Sequence, residues 1–166
     1  MIANTQELVI GSQLENLNQV VALVEEICDQ YNINNTYFGN ILVAVTEATR
    51  NAIIHGNKSD GTKSVRIRFE SGPTGLKFSI QDEGPGFDYH TVPDPTESTE
   101  EEAKTTPRGL YLIRSLADEI VFKENGSLLQ FGFHITSINY QLSAERSKML
   151  HAYYHPEEKR VEKSQD

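Results

Sequence analysis

The spacing of apolar residues changes along this chain, and each change marks an element. Glu7 to Gly11 is short and rich in Leu, Val and Ile, which predicts a first strand. Leu14, Leu17, Val20, Val21, Val24, Ile27 and Cys28 then recur at helical spacing, which predicts an amphipathic helix over about residues 13 to 31. N-I-N-N breaks that pattern and offers a cap for a second helix, which runs through Leu42 and stops near His55-Gly56-Asn57. Val65, Ile67 and Phe69 alternate with Arg66 and Arg68. After the turn S-G-P-T-G, Leu76, Phe78 and Ile80 alternate with Lys77 and Ser79, so the two runs form a hairpin. Pro107-Arg108-Gly109 opens a helix over Leu110 to Ala117. E-I-V-F-K-E and L-L-Q-F-G-F-H-I then make a closing hairpin around the turn dipeptide Asn125-Gly126. After Ile135 the pattern decays: S-A-E-R-S-K-M-L-H-A-Y-Y reads as at most a short helix, and the final residues are charged and loose.

The second helix carries polar residues that core packing does not call for. On a helical wheel Phe38, Ile41, Leu42, Val45, Ala48, Thr49 and Ala52 share the face that meets a core. Glu47 and Asn51, four apart, stack on another side together with His55, beside Val43, Ala44 and Ile54. That second side is apolar enough to wall a pocket. A carboxylate next to a carboxamide suits metal binding and the orientation of a water or hydroxyl; the plainer alternative is the solvated edge of a core helix. Asp82 raises a similar question. Continuing the parity of its strand places it with Leu76, Phe78 and Ile80, where a charge is costly unless something hydrogen-bonds to it. A structural partner and a ligand donor both satisfy that demand, and the strand runs directly into D-E-G-P-G-F.

Composition narrows the class. At 166 residues the chain is one domain with room for a real core. With Lys+Arg 15 against Asp+Glu 24, the net charge of −9 argues against direct binding of nucleic acid and favours a basic protein partner. The single cysteine, Cys28, cannot close an internal disulfide and sits at a buried helix position. No signal peptide and no run of roughly 18 apolar residues is present, so no membrane contact and a cytoplasmic location are expected. Residues 89 to 106, Y-H-T-V-P-D-P-T-E-S-T-E-E-E-A-K-T-T, form a long loop without apolar pattern, read either as a mobile functional segment or as a disordered insertion.

The order of these motifs resembles a known superfamily. A helix with E-x-x-x-N-A-I-x-H-G, a strand ending D-E-G-x-G-F, a long lid and then R-G-L-x-L-I-R-S-L-x-D-E-I is similar to the GHKL ATPases, which include gyrase and sensor histidine kinases. N-A-I-I-H-G-N and R-G-L-Y-L-I-R-S-L-A-D-E-I-V-F resemble in particular the anti-sigma-factor serine/threonine kinases of bacterial stress and sporulation switches. The resemblance covers about residues 6 to 135. It implies a two-layer α/β sandwich of the GHKL (Bergerat) ATP-binding type, a mixed sheet with helices on one face and a long ATP lid. Residues 1–136 would form the ATP-binding kinase domain and 137–166 a C-terminal extension, partly helical or disordered.

The resemblance also implies roles. Asn51 would hold Mg²⁺ on the triphosphate of ATP, and Glu47 would be the general base for an attacking serine hydroxyl. Asp82 would accept a hydrogen bond from the adenine amine, while Gly84 and Gly86 let the backbone approach the base. Arg108, Gly109 and Leu110 would hold phosphates at a helix start. Ser127, in N-G-S-L-L where the pattern has Gly-Thr, would supply a hydroxyl. His55 is read as a helix-end residue near the site. The implied partners are an anti-sigma-factor antagonist as substrate, a sigma factor, and a second copy of the chain in a homodimer. K-T-T-P-R-G departs from the glycine-rich pattern before the R-G step, and Pro107 has no N–H to offer a phosphate. That departure bears on transfer and lid closure rather than on nucleotide binding. The alternative is a sequestering module on the same fold that binds a partner without transfer, with or without nucleotide. A third is a regulatory domain clipped from a longer architecture.

Overall fold

The structure, a computed structural model, describes residues 4–91 and 108–135, the side chains of Thr91 and Arg108 excepted. Most of the lid sequence and the whole extension 137–166 lie outside the described residues. Strands β1 (Thr5–Gly11), β2 (Ser64–Gly72), β3 (Gly75–Gln81), β4 (Glu119–Lys123) and β5 (Leu128–His134) build one sheet in the order β1-β2-β3-β5-β4. Helices α1 (Leu17–Gln30) and α2 (Asn35–Asn51) follow β1, and α3 (Arg108–Leu116) precedes β4. A mixed sheet was expected. Every described pairing is antiparallel: β4 runs the same way as β3, but β5 lies between them and runs against both.

Alternation makes this a one-sided sheet. Val65, Ile67, Phe69, Leu76, Phe78, Ile80, Leu129, Phe131 and Phe133 are buried, while Arg66, Arg68 and Lys77 are exposed on the opposite face. Phe69, Phe78 and Phe131 stand in register across β2, β3 and β5, with ring centroids 5.3 and 5.9 Å apart. Against this row pack Val20, Val24 and Ile27 of α1 and Ile41, Val45 and Ala48 of α2, all buried. Cys28 is buried with them, and burial pushes its thiol up to about 11, so it is an inert small apolar side chain. Asn34 caps α2, its side chain accepting from the N–H groups of Thr36 and Tyr37. α3 lies against α2, its Leu110 and Ile113 turned into the core.

Candidate functional site

α2 does not end as an ordinary helix. Ala52–Gly56 form a π turn, in which Asn57 N–H donates to Ala52 O, five residues back, at 2.8 Å. Such turns recur at functional sites because they re-aim the residues that follow. Here the turn brings Gly56 against Asp82: a Cβ at Gly56 would stand 2.3 Å from the Asp82 Cγ. Only a residue without a side chain lets the helix end lie on that carboxylate.

Asp82 sits one residue beyond β3. Its N–H donates to Ser127 O at 3.0 Å, and its Oδ1 accepts from Gly84 N–H at 2.7 Å. Gly84 is as tightly placed as Gly56, since a Cβ there would lie 2.1 Å from Gly56 O. Burial raises the Asp82 carboxyl above the usual aspartate value of 3.8, opposed by the Gly84 hydrogen bond and by the charge of Lys63. Among the described residues, its Oδ2 has no hydrogen-bond donor. A half-buried carboxylate with one free oxygen at the bottom of a cleft is equipped to accept a hydrogen bond from a ligand.

The cleft itself encloses about 230 Å³, bounded by Asn51, Ile80, Asp82, Leu110, Phe122 and Leu129, with Gly86, Phe87 and Ser127 at the β4–β5 side. Gly86 has φ +81° and lies on Asn125 O, where a Cβ would come within 1.9 Å, so glycine is required there. The β4–β5 connection is also left-handed, with positive φ at Glu124, Asn125 and Gly126. Around the opening, Phe122 stacks on Tyr89 at 5.0 Å and receives the edge of Phe87 at 5.6 Å. The cleft therefore has apolar walls, an aromatic rim and a single carboxylate at its base, the form expected of a small-molecule site.

At the other end, Glu47 and Asn51 are half-buried on α2, and the start of α3 rests on both. A Cβ at Gly109 would lie 2.7 Å from Asn51 Nδ2 and 2.9 Å from Glu47 Oε2. Among the described residues, Asn51 Nδ2 is buried without a hydrogen-bond partner, a donor available to a polar ligand. Among the described residues no three His, Cys, Asp or Glu side chains cluster as a protein-only metal centre would. The residues present still fit a hard divalent cation of the Mg²⁺ type, which takes one or two protein oxygens and completes its shell with phosphate and water.

Of the residues singled out from sequence, Asn51, Asp82, Gly86, Leu110 and Ser127 line one cleft, and Gly84 backs Asp82. Glu47 and Gly109 adjoin its Asn51 end. The backbone of Arg108 starts α3, and its side chain is outside what is described. The Ser127 hydroxyl is engaged locally, donating to Glu124 O at 2.8 Å. His55 lines the cleft from the helix end, exposed. Sequence reasoning missed the pocket role of Gly56, which it treated as a helix stop, and the aromatic rim, whose signal was the Phe in G-P-G-F and the Phe in E-I-V-F. It also missed Asn57, which is buried and bonds to residues far from it in the chain.

The sheet is one-sided and antiparallel, and the cleft lies between the second helix and the strand exit at Asp82. Residues 10–133 match the family described as histidine kinase-like ATPase domain, and the chain belongs to that family. The serine-protein kinase RsbW of Bacillus licheniformis is 34% identical to it over 86 residues, covering 49% of this chain and 54% of that protein. The Bacillus subtilis serine-protein kinase RsbW is 26% identical over 119 residues, covering 69% of this chain and 74% of its own. An anti-sigma F factor of Geobacillus stearothermophilus is 27% identical over 121 residues, covering 71% and 82%. The chain thus spans about half the length of the first of these relatives. A crystal structure of the RsbU and RsbW domains of a Mycobacterium tuberculosis protein shares the fold, with a TM-score of 0.54 at 14% identity over 78% of this chain and 31% of that one.

Proposed function

We propose that this protein is an ATP- and Mg²⁺-dependent serine/threonine protein kinase that acts as an anti-sigma factor. It would phosphorylate an anti-sigma-factor antagonist and bind a sigma factor, working as a cytoplasmic homodimer. The observation that carries the reading is the cleft with a free carboxylate oxygen at one end and a carboxylate–carboxamide pair at the other, joined by one helix. The names of the relatives, serine-protein kinases and an anti-sigma F factor, support the partner class. The catalytic unit would be residues 1–136.

Asp82 accepts the exocyclic amine of adenine, which orients the purine between the walls of the cleft. Gly84 and Gly86 let the backbone around the base pack closely, against Gly56 and Asn125. The backbone N–H groups of Arg108, Gly109 and Leu110, in the first turn of α3, would face phosphate oxygens. Ser127 offers its hydroxyl oxygen as an acceptor at the cleft side. Asn51 would hold the cation, which would supply charge neutralisation on the phosphates. Glu47 takes the proton of the substrate serine hydroxyl as its oxygen bonds to the γ-phosphorus and the bridging P–O bond to ADP breaks.

Calorimetric titration of ATP with Mg²⁺ into the protein and into an Asp82→Asn variant tests this. Binding by the parent that weakens at least about tenfold in the variant is the expected result, given the worth of a hydrogen bond to a charged group. A folded parent that takes up no nucleotide would remove the kinase reading. The competing reading, a sequestering module without transfer, draws on the Gly109 contact, which leaves Glu47 and Asn51 covered by α3. It requires a sigma factor to bind while no phosphate reaches the antagonist.

A further inference from the structure

The ladder of the central sheet stops at Gln81, which is paired with Arg66 on one side and Leu128 on the other. Asp82 and Glu83 lie beyond it, so their amides need partners that the strands do not supply. Asp82 N–H finds Ser127 O. Glu83 N–H donates at 2.7 Å to Oδ1 of Asn57, a residue only 1% exposed. The amide nitrogen of the same side chain donates to Ser12 Oγ at 2.7 Å and to Ser64 O at 2.9 Å. With acceptor and both donors engaged, the carboxamide has one orientation and cannot turn without losing bonds inside the protein.

Asn57 is also the first residue after the π turn, directly following the Gly56 that lies on the Asp82 carboxylate. The turn therefore grips the Asp82–Glu83 step twice, against the carboxylate and through the next amide. We infer that Asn57 is a positioning residue for base selectivity: its hold on the Glu83 amide fixes the Asp82 carboxylate in the orientation that accepts a purine amine. This rests on the nucleotide reading above. Released from Asn57, Glu83 keeps the tie of its side chain, which accepts from Ser64 N–H at 2.5 Å, but its amide loses its own partner and the peptide plane can rotate. The Gly84 N–H, two residues past Asp82, then loses its fixed relation to Oδ1, and the half-buried carboxylate turns toward water, where its charge is better solvated. A ligand whose base needs no carboxylate would be little affected.

The test compares ATP with inosine triphosphate, which carries an oxygen where adenine carries the amine, each titrated with Mg²⁺ into the full chain. The parent should prefer ATP by roughly 10- to 100-fold, since the inosine oxygen leaves a buried carboxylate facing an acceptor. In Asn57→Leu the preference should fall to about threefold or less through loss of ATP affinity alone, with inosine triphosphate binding nearly unchanged. Asn57→Ser, whose hydroxyl is too short to reach Glu83, should behave alike, and it serves if the leucine variant does not fold. Ser12→Ala removes a partner of Asn57 that does not touch the Asp82–Glu83 step. It should lower the melting temperature and keep the preference. Asn57 variants that keep the parent preference, or that lose both nucleotides in equal proportion, would reduce Asn57 to a structural role and overturn the inference. A parent that binds neither nucleotide overturns the nucleotide reading first, which separates the two failures.

Discussion

The two ends of the cleft are built on opposite plans. At the Asp82 end almost every polar group is paired inside the protein: Gly84 N–H on Oδ1, Asp82 N–H on Ser127 O, and Glu83 N–H on Asn57. At the Glu47–Asn51 end the amide nitrogen of Asn51 is buried without a partner among the described residues, and α3 approaches through a glycine. The first end is rigid before any ligand arrives. The second is completed by what binds there. Preorganisation where a base is recognised, and unmet bonding capacity where charge is handled, divide selectivity from chemistry along one helix.

Substitutions at each end should separate the two. The largest effect is expected from Glu47→Gln, which keeps shape and removes the base. Transfer of labelled phosphate to a serine-bearing antagonist should fall about 10²- to 10⁴-fold, while ATP affinity stays within a few-fold. Transfer at the parent rate would show that Glu47 is not the base. Next come the two glycines that allow the close approaches. Gly56→Ala forces its Cβ into Asp82 and should cost about 1–3 kcal/mol of stability in thermal or denaturant melts, together with most of the affinity for ATP. Gly109→Ala meets only side-chain ends that can turn aside, and alanine gains up to about 1 kcal/mol over glycine in a helix. Its melting temperature should barely change, while transfer drops and adenosine binding, which uses only the Asp82 end, is retained. If Gly109→Ala weakens adenosine as much as Gly56→Ala does, the two ends are not independent.

Acidity offers a smaller and sharper test. The raised Asp82 pKa means that the folded state binds this proton more readily than the unfolded one. Asp82 thus adds stability as the pH falls through its raised pKa, and the gain is lost as the pH rises through it. Affinity moves the other way, because the ionised carboxylate is the acceptor. ATP binding should weaken on acidification at a higher pH than an ordinary aspartate would give, and the part of that slope absent from Asp82→Asn belongs to this group. The smallest effect is expected from Ser127→Ala. Its hydroxyl donates to Glu124 O, so its loss should cost about 0.5–1.5 kcal/mol in stability and change affinity about twofold or less. A larger loss of affinity would mean that the hydroxyl leaves the turn to meet the ligand.

Much of this was legible in the chain. The Val65–Ile67–Phe69 and Leu76–Phe78–Ile80 alternations have no other solution than a half-buried hairpin. Glu47 and Asn51 stood out because nothing in a core helix calls for them, and strand parity alone placed Asp82 on the cleft side. What was not legible depends on contacts made at a distance. The insertion of β5 between β3 and β4 leaves the β4–β5 hairpin pattern unchanged, so neither strand order nor the fully antiparallel sheet could be read from it. The π turn has no residue signature, so Gly56 looked like a helix stop. Asn57 read only as the end of the helix stop because Ser12, one of its partners, lies 45 residues away.

The π turn also bears on how the site tolerates change in length. A π turn amounts to one residue added to an α-helix without breaking it. Deleting a single residue between Ala52 and Gly56 would return the segment to ordinary helical winding and turn the helix end, with the glycine and Asn57, by about 100°. The glycine would leave the Asp82 carboxylate and Asn57 would leave the Glu83 amide together. Residues 4–51 and the sheet core would keep their own packing. Such a deletion separates foldedness from recognition in one step: the helix would survive with its hydrophobic face intact, and the cleft would lose its floor.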